Sequence, residues 1–206
     1  MPVSERFARL CSAVFHPLLI PTLGIFILFQ INSHLSFAVS QEARRFIMLI
    51  VFINTAIAPV MAIWIMKKTG YLKDFMLTER NERILPLLVT AVLFFMTYYL
   101  LRQISLPSLV YFFIMSATLL VMLTLMISFV WKISIHLVSL GGFTGFLIVT
   151  SLLLRADIAW LIILAFLASG CTGTARLVLK VHSPAQVYTG YLLGIILMLG
   201  LYFYFS

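Results

Sequence analysis

The chain has 206 residues, of which 63% are hydrophobic and only 10% are charged. A soluble domain keeps about a quarter of its residues charged, so this composition excludes an ordinary soluble protein and indicates a membrane protein. The formal net charge is +8, which fits cytoplasmic loops, contact with anionic lipids or an anion-binding site. Cys11 and Cys171 have no metal-ligand spacing and are interpreted as reduced, apolar residues.

Seven apolar segments approach the roughly 20 residues that a membrane-spanning helix requires. In chain order they are residues 12–32, 45–66, 86–101, 108–130, 135–154, 157–174 and 184–205. The third and sixth are short, and the sixth could instead be partly re-entrant. Because lipid leaves the backbone groups of open strands unsatisfied, we predict an all-α bundle of six to seven transmembrane helices that forms a single domain over residues 1–206.

Polar residues collect in three clusters rather than along the spans. The clusters are residues 67–83 (KKTGYLKDFMLTERNER), 131–136 (WKISIH) and 175–186 (ARLVLKVHSPAQ). With seven spans, each cluster follows an even-numbered helix, so all three are expected on one face of the membrane. Charge near lipid is costly and usually functional, which indicates a site at that face.

The third cluster has the pattern of a helix start. Ser183 before Pro184 is typical of an N-cap followed by proline in the first turn, which places His182 at a helix N-terminus that favours anions. Two interpretations of Gln186 remain open: it completes a capping box with Ser183, or it orients the imidazole of His182. Arg176 precedes His182 by six residues, so the chain must bend if both face one ligand.

His136 supplies a second imidazole, two residues after Ser134. Imidazole suits proton transfer near neutral pH. Two histidines among cations, without an acidic metal-ligand cluster, suit metal-free phosphoryl transfer in which one attacks phosphorus and the other protonates the leaving oxygen. A structural interpretation is also open, with Lys132 and His136 lying at the interface. His16 and His34 carry no motif; His16 could pack near the site but is interpreted as structural.

The first cluster adds three candidate phosphate ligands, Lys73, Arg80 and Arg83. One guanidinium group can form two parallel hydrogen bonds to phosphate oxygens, and lysine adds a point charge. Acidic residues at positions 74, 79 and 82 reduce the net positive charge of the cluster. Part of the cluster is therefore compatible with ordinary ion pairing at the membrane edge.

In this order, the clusters resemble the type-2 phosphatidic acid phosphatase superfamily of lipid phosphate phosphatases and vanadium haloperoxidase-like proteins. The motifs of that superfamily are K-x6-R-P, P-S-G-H and S-R-x5-H-x3-D. This chain matches them with Lys73 and Arg80, with Ser134 and His136, and with Arg176 and His182. It departs from them most at Gln186, which stands where the family has Asp.

The resemblance implies that His182 is a nucleophile that forms a phosphohistidine and that His136 is the general acid. It also implies that phosphate is held by Lys73, Arg80, Ser134, Arg176 and the backbone N–H of Ile135, without a metal or other cofactor. The carbonyl of Gln186 can still fix the tautomer of the imidazole, but it adds no negative charge. Arg83 has no counterpart in the family and is a further candidate ligand.

The leading interpretation is a metal-independent membrane enzyme that hydrolyses a phosphomonoester or diphosphate of a lipid. The alternative is a protein with weak or no catalysis that binds or transports phosphorylated lipids on the same architecture, and the neutral Gln186 favours it. The implied partners are a lipid phosphate and membrane lipids, not nucleic acid. We expect an integral protein of a bacterial cytoplasmic membrane; the distribution of Lys and Arg does not decide which side the site faces.

Overall fold

The computed structural model describes residues 3–31, 38–72 and 81–205. Across these ranges the chain forms helices and their connections, with no strand. Seven helical segments are long and apolar enough to cross a membrane. The prediction of a polytopic, all-α membrane protein is therefore confirmed.

The long helices are continuous except for short irregular turns. They are α1 (Val3–Val14), α2 (Ile20–Gln30), α3 (Gln41–Phe52), α4 (Ala58–Lys68), α5 (Ile84–Arg102), α6 (Ser108–Ser128), α7 (Ile135–Leu154), α8 (Ala159–Val178) and α9 (Pro184–Phe205). Pro17–Leu19 and Asn81–Arg83 form 3₁₀ turns, and Ile53–Ile57 forms a π turn. The third and sixth spans have 22 and 20 residues. Both are therefore long enough to cross a membrane, although their apolar segments in the sequence are shorter.

The first two spans begin earlier than their apolar runs predicted. α3 begins at Gln41 because the side chain of Ser40 caps it, accepting a hydrogen bond from the backbone N–H of Ala43 at 3.2 Å. α1 begins at Val3 although its first turns are polar, and it buries the small side chains of Ala8 and Cys11. Capping and packing of small residues therefore extend both helices beyond the hydrophobic segment.

Two compact units make up the chain. The first unit consists of Met1–Ile20 and Lys132–Ser206, and the second of Pro21–Trp131. In the second unit, the ring of Phe113 fills the space that a β-carbon on Gly24 would need. Pro59 has no N–H to donate, and the chain before it forms the π turn, in which the N–H of Ala58 donates to the carbonyl of Ile53.

In the first unit, α7 is the most enclosed helix, with 67% of its apolar window buried. Glycines allow α9 to approach its backbone directly. A β-carbon on Gly141 would overlap the carbonyl of Tyr191, and one on Gly194 would overlap the backbone of Val138 and Gly142. Close approach through small residues spaced four apart is a common way for membrane helices to associate.

We predict that Gly194→Ala destabilises the protein, because the added methyl group forces α7 and α9 apart. Overpacking costs about 1–3 kcal/mol, and contact with backbone leaves little room for relaxation. The melting temperature in detergent measures the effect. Gly200→Ala is the control in the same helix, since nothing lies within 4 Å of its added methyl; equal melting temperatures for the two variants would contradict the packing described here.

Candidate functional site

The contact between α7 and α9 brings the second and third polar clusters together. The backbone N–H of Ser134, just before α7, donates to the carbonyl of Gln186 in the first turn of α9 at 3.2 Å. A β-carbon on Gly190 would lie 3.0 Å from the carbonyl oxygen of Ser134, so a larger residue would crowd this junction. Residues 134–136 and 182–186 therefore meet at one end of the helix pair.

A capping box opens α9. The Oγ atom of Ser183 accepts a hydrogen bond from the N–H of Gln186 at 3.4 Å, and Oε1 of Gln186 accepts one from the N–H of Ser183 at 3.1 Å. The same Oε1 atom lies 3.0 Å from Nδ1 of His182. Gln186 therefore completes the capping box and also contacts the imidazole of His182, so the two interpretations of this residue hold together.

These contacts fix the tautomer of His182. The amide atom that faces the N–H of Ser183 must be the oxygen, because an amide nitrogen cannot accept a hydrogen bond. That oxygen cannot donate, so Nδ1 of His182 carries a proton. In the neutral ring the lone pair is then on Nε2, as a nucleophilic imidazole requires. The residue is buried, with 8% of its surface exposed.

A Schellman motif ends α8 and bends the chain between Arg176 and His182. The N–H of Val181 donates to the carbonyl of Arg176 at 3.3 Å, and the N–H of Lys180 donates to the carbonyl of Leu177 at 2.9 Å. Lys180 adopts the left-handed conformation, with a φ of 53°. Glycine is the usual residue at this position, so a lysine here is unusual.

Ser12 in α1 contacts both His136 and Arg176. Nε2 of His136 lies 3.2 Å from the carbonyl oxygen of Ser12, and Nη1 of Arg176 donates to Oγ of Ser12 at 3.5 Å. Because a carbonyl only accepts, Nε2 of His136 carries the proton in this bond. The last turn of a helix has unpaired carbonyls and a partial negative charge, so His136 also caps α1 by donating to the carbonyl of Ser12.

His16 lies closer to this cluster than its lack of a motif suggested. Its ring packs edge-on against that of His136, with the centroids 5.5 Å apart and an interplanar angle of 79°. Nδ1 of His16 accepts the N–H of Leu18 at 3.4 Å, and Oγ of Ser139 donates to the carbonyl of Pro17 at 3.5 Å, which ties the turn to α7. The only sequence signal was the His-Pro pair, which is compatible with a cap but indicates no partner.

Two polar atoms of the cluster have no hydrogen-bond partner within the described part of the chain, namely Oγ of Ser134 and Nε of Arg176. Ser134 is fully buried, and leaving a buried hydroxyl unpaired is costly. Ser134 is the N-cap of α7, whose first backbone N–H groups, beginning with Ile135, have no acceptor within the helix, and Arg176 shares Ser12 as a contact with His136 in the first turn of that helix. An anion bound here would satisfy the hydroxyl, the guanidinium and the helix end together.

The permanent charge of the cluster is the guanidinium of Arg176. It acts electrostatically on both His136 and His16. The sequence of the first unit contains two acidic residues, Glu5 and Asp157, and neither makes a described ion pair here. In residues 3–31, 38–72 and 81–205, no group of three or more His, Cys, Asp or Glu side chains could hold a metal ion.

The remaining candidate ligands are Lys73, Arg80 and Arg83. Lys73 and Arg80 lie outside the described residues. Arg83 belongs to the second unit, where it precedes α5 and is 3% exposed. The described cluster thus contains His136, His182, Gln186, Ser134 and Arg176 of the predicted set, with Ser12 and His16 as additions.

No protein-family model, curated protein or solved structure matches the chain. The structure itself defines the class as an integral membrane protein, since residues 3–31, 38–72 and 81–205 contain seven helices suited to crossing a bilayer.

We predict that Gln186→Ala lowers stability by about 0.5–2 kcal/mol, the usual cost of losing a helix cap. The substitution removes the acceptor for both the N–H of Ser183 and the imidazole of His182. Gln186→Glu is the matched control, because a carboxylate of the same length accepts both bonds and favours a helix N-terminus. A melting temperature that falls equally in both variants would argue against the shared acceptor.

Proposed function

We propose that the protein is a lipid phosphate phosphatase related to the type-2 phosphatidic acid phosphatases, acting on a phosphomonoester or diphosphate of a lipid. The observation that carries the proposal is the oriented imidazole of His182, held by Gln186 in the same unit as His136, Arg176 and the buried hydroxyl of Ser134. A site built from residues at the ends of membrane helices suits a substrate whose tail stays in the bilayer. The proposed location is a bacterial cytoplasmic membrane.

In the proposed reaction, Nε2 of His182 attacks phosphorus and the bond from phosphorus to the lipid oxygen breaks. The departing oxygen takes a proton from Nδ1 of a doubly protonated His136, whose Nε2 remains bonded to Ser12. Water then attacks the phosphohistidine, the P–N bond breaks, and the proton of the water returns to His136.

In this proposal, phosphate is bound by the buried atoms that have no hydrogen-bond partner within the described residues. Nε of Arg176 and Oγ of Ser134 would each donate to a phosphate oxygen, together with the N–H of Ile135. Lys73 and Arg80 are further proposed ligands from the resemblance, and Arg83 is a candidate without a family counterpart.

We predict that the purified protein releases inorganic phosphate from a short-chain lipid phosphate in the presence of EDTA. His182→Asn should reduce the release by about 10³-fold or more, because the nucleophile is lost. Arg176→Gln should reduce it by about 10²-fold through lost stabilisation of the transferring phosphoryl group. The exposed Arg45 of the second unit offers a control, Arg45→Gln, that should keep full activity. Unchanged phosphate release by His182→Asn would refute the assignment of His182 as the nucleophile.

The second candidate function is binding or transport of a phosphorylated lipid without turnover. Two observations favour it: the uncharged oxygen of Gln186 is shared with the N–H of Ser183, and His136 would have to carry a positive charge close to Arg176, since both contact Ser12. Neither feature hinders phosphate binding. The first weakens the stabilisation of positive charge on His182, and the second weakens proton transfer by His136.

Gln186→Glu separates the two functions. In an enzyme, the added negative charge stabilises the imidazolium character that His182 gains during attack, so we predict faster phosphate release than in the native protein. In a binding protein, neither the native protein nor Gln186→Glu releases phosphate from the lipid. Phosphate affinity, measured by calorimetry, then depends on Arg176 in both proteins. Release that is slower in Gln186→Glu than in the native protein would contradict the role assigned to this position.

A further inference from the structure

An open groove of about 530 Å³ lies in the first unit beside His182. Lys132 and Lys180 line it together with His182 and Gln186, and Leu177 and Val181 provide apolar wall. None of the residues that line the groove is acidic. The groove is therefore lined by two lysines, beside the imidazole that is proposed to meet phosphate.

Lys180 occupies the left-handed position of the Schellman motif, with a φ of 53°. Glycine would adopt this conformation without strain, and strained non-glycine positions are often functional. The residue also lines the groove, which makes it a candidate for a functional side chain.

We infer that Lys132 and Lys180 form a second anion subsite, so that the preferred ligand carries a second phosphate group beside the one that meets His182. This inference rests on the proposed function and narrows it to lipids that bear a diphosphate or two adjacent phosphates, rather than a single phosphomonoester. Leu177 and Val181 would contact the apolar part of the ligand nearest to its head group. A lysine near a membrane surface contributes about fivefold to anion affinity.

The test compares binding of inorganic phosphate and inorganic pyrophosphate to the full chain in detergent, measured by calorimetry at fixed ionic strength. The native protein should prefer pyrophosphate, and the preference should fall about fivefold in Lys132→Gln and in Lys180→Gly. Affinity for phosphate should change less. Lys180→Gly relieves the strained backbone, so its loss of preference would not come from misfolding. Lys180→Arg and Arg45→Gln, at an exposed residue of the second unit, should both keep the preference.

The outcomes separate this inference from the proposed function. If phosphate binds and Arg176→Gln weakens it, but the native protein does not prefer pyrophosphate or the two lysine variants keep the native preference, the second subsite is wrong and the phosphate site stands. If phosphate does not bind, or binds equally well to Arg176→Gln, the proposed function fails, and the second subsite fails with it.

Discussion

The close approach of the α7 and α9 backbones is the constraint on which the first unit depends. Lipid provides no hydrophobic drive between helices, so association relies on packing and hydrogen bonds. Gly141 and Gly194 allow backbone to meet backbone, and the bond from Ser134 to Gln186 joins the two helices at their ends. The positions of the two imidazoles follow from this, because His136 is two residues after Ser134 and His182 is two residues before the start of α9.

The sequence was sufficient wherever contacts are local or depend on composition. Apolar length predicted six to seven spanning helices, of which the described residues show seven, and the spacing of Ser183 and Gln186 made the capping box that opens α9 one of two open interpretations. The spacing of His182 and Gln186 likewise made their contact a reasonable expectation. Helix ends at Val3 and Gln41 were not predictable from apolar runs, because caps and small packed residues determine them.

Contacts between distant segments could not be predicted in the same way. Ser12 and His136 are 124 positions apart, and no periodicity links the turn at His16 to the start of α7. The paired GxxxG patterns at Gly141–Gly145 and Gly190–Gly194 were present in the sequence and point to close helix packing. These patterns do not indicate which helices contact each other or which side chains that contact brings together.

The oxygen of Gln186 serves the start of α9 and the imidazole of His182 at once. Only side chains of similar reach that carry an acceptor can occupy this position without loss of one bond or the other. Glutamine and glutamate meet that condition, and their codons differ by a single base. A lineage could therefore exchange a neutral residue for an anionic one here in one mutational step, altering reactivity while the architecture stays as it is.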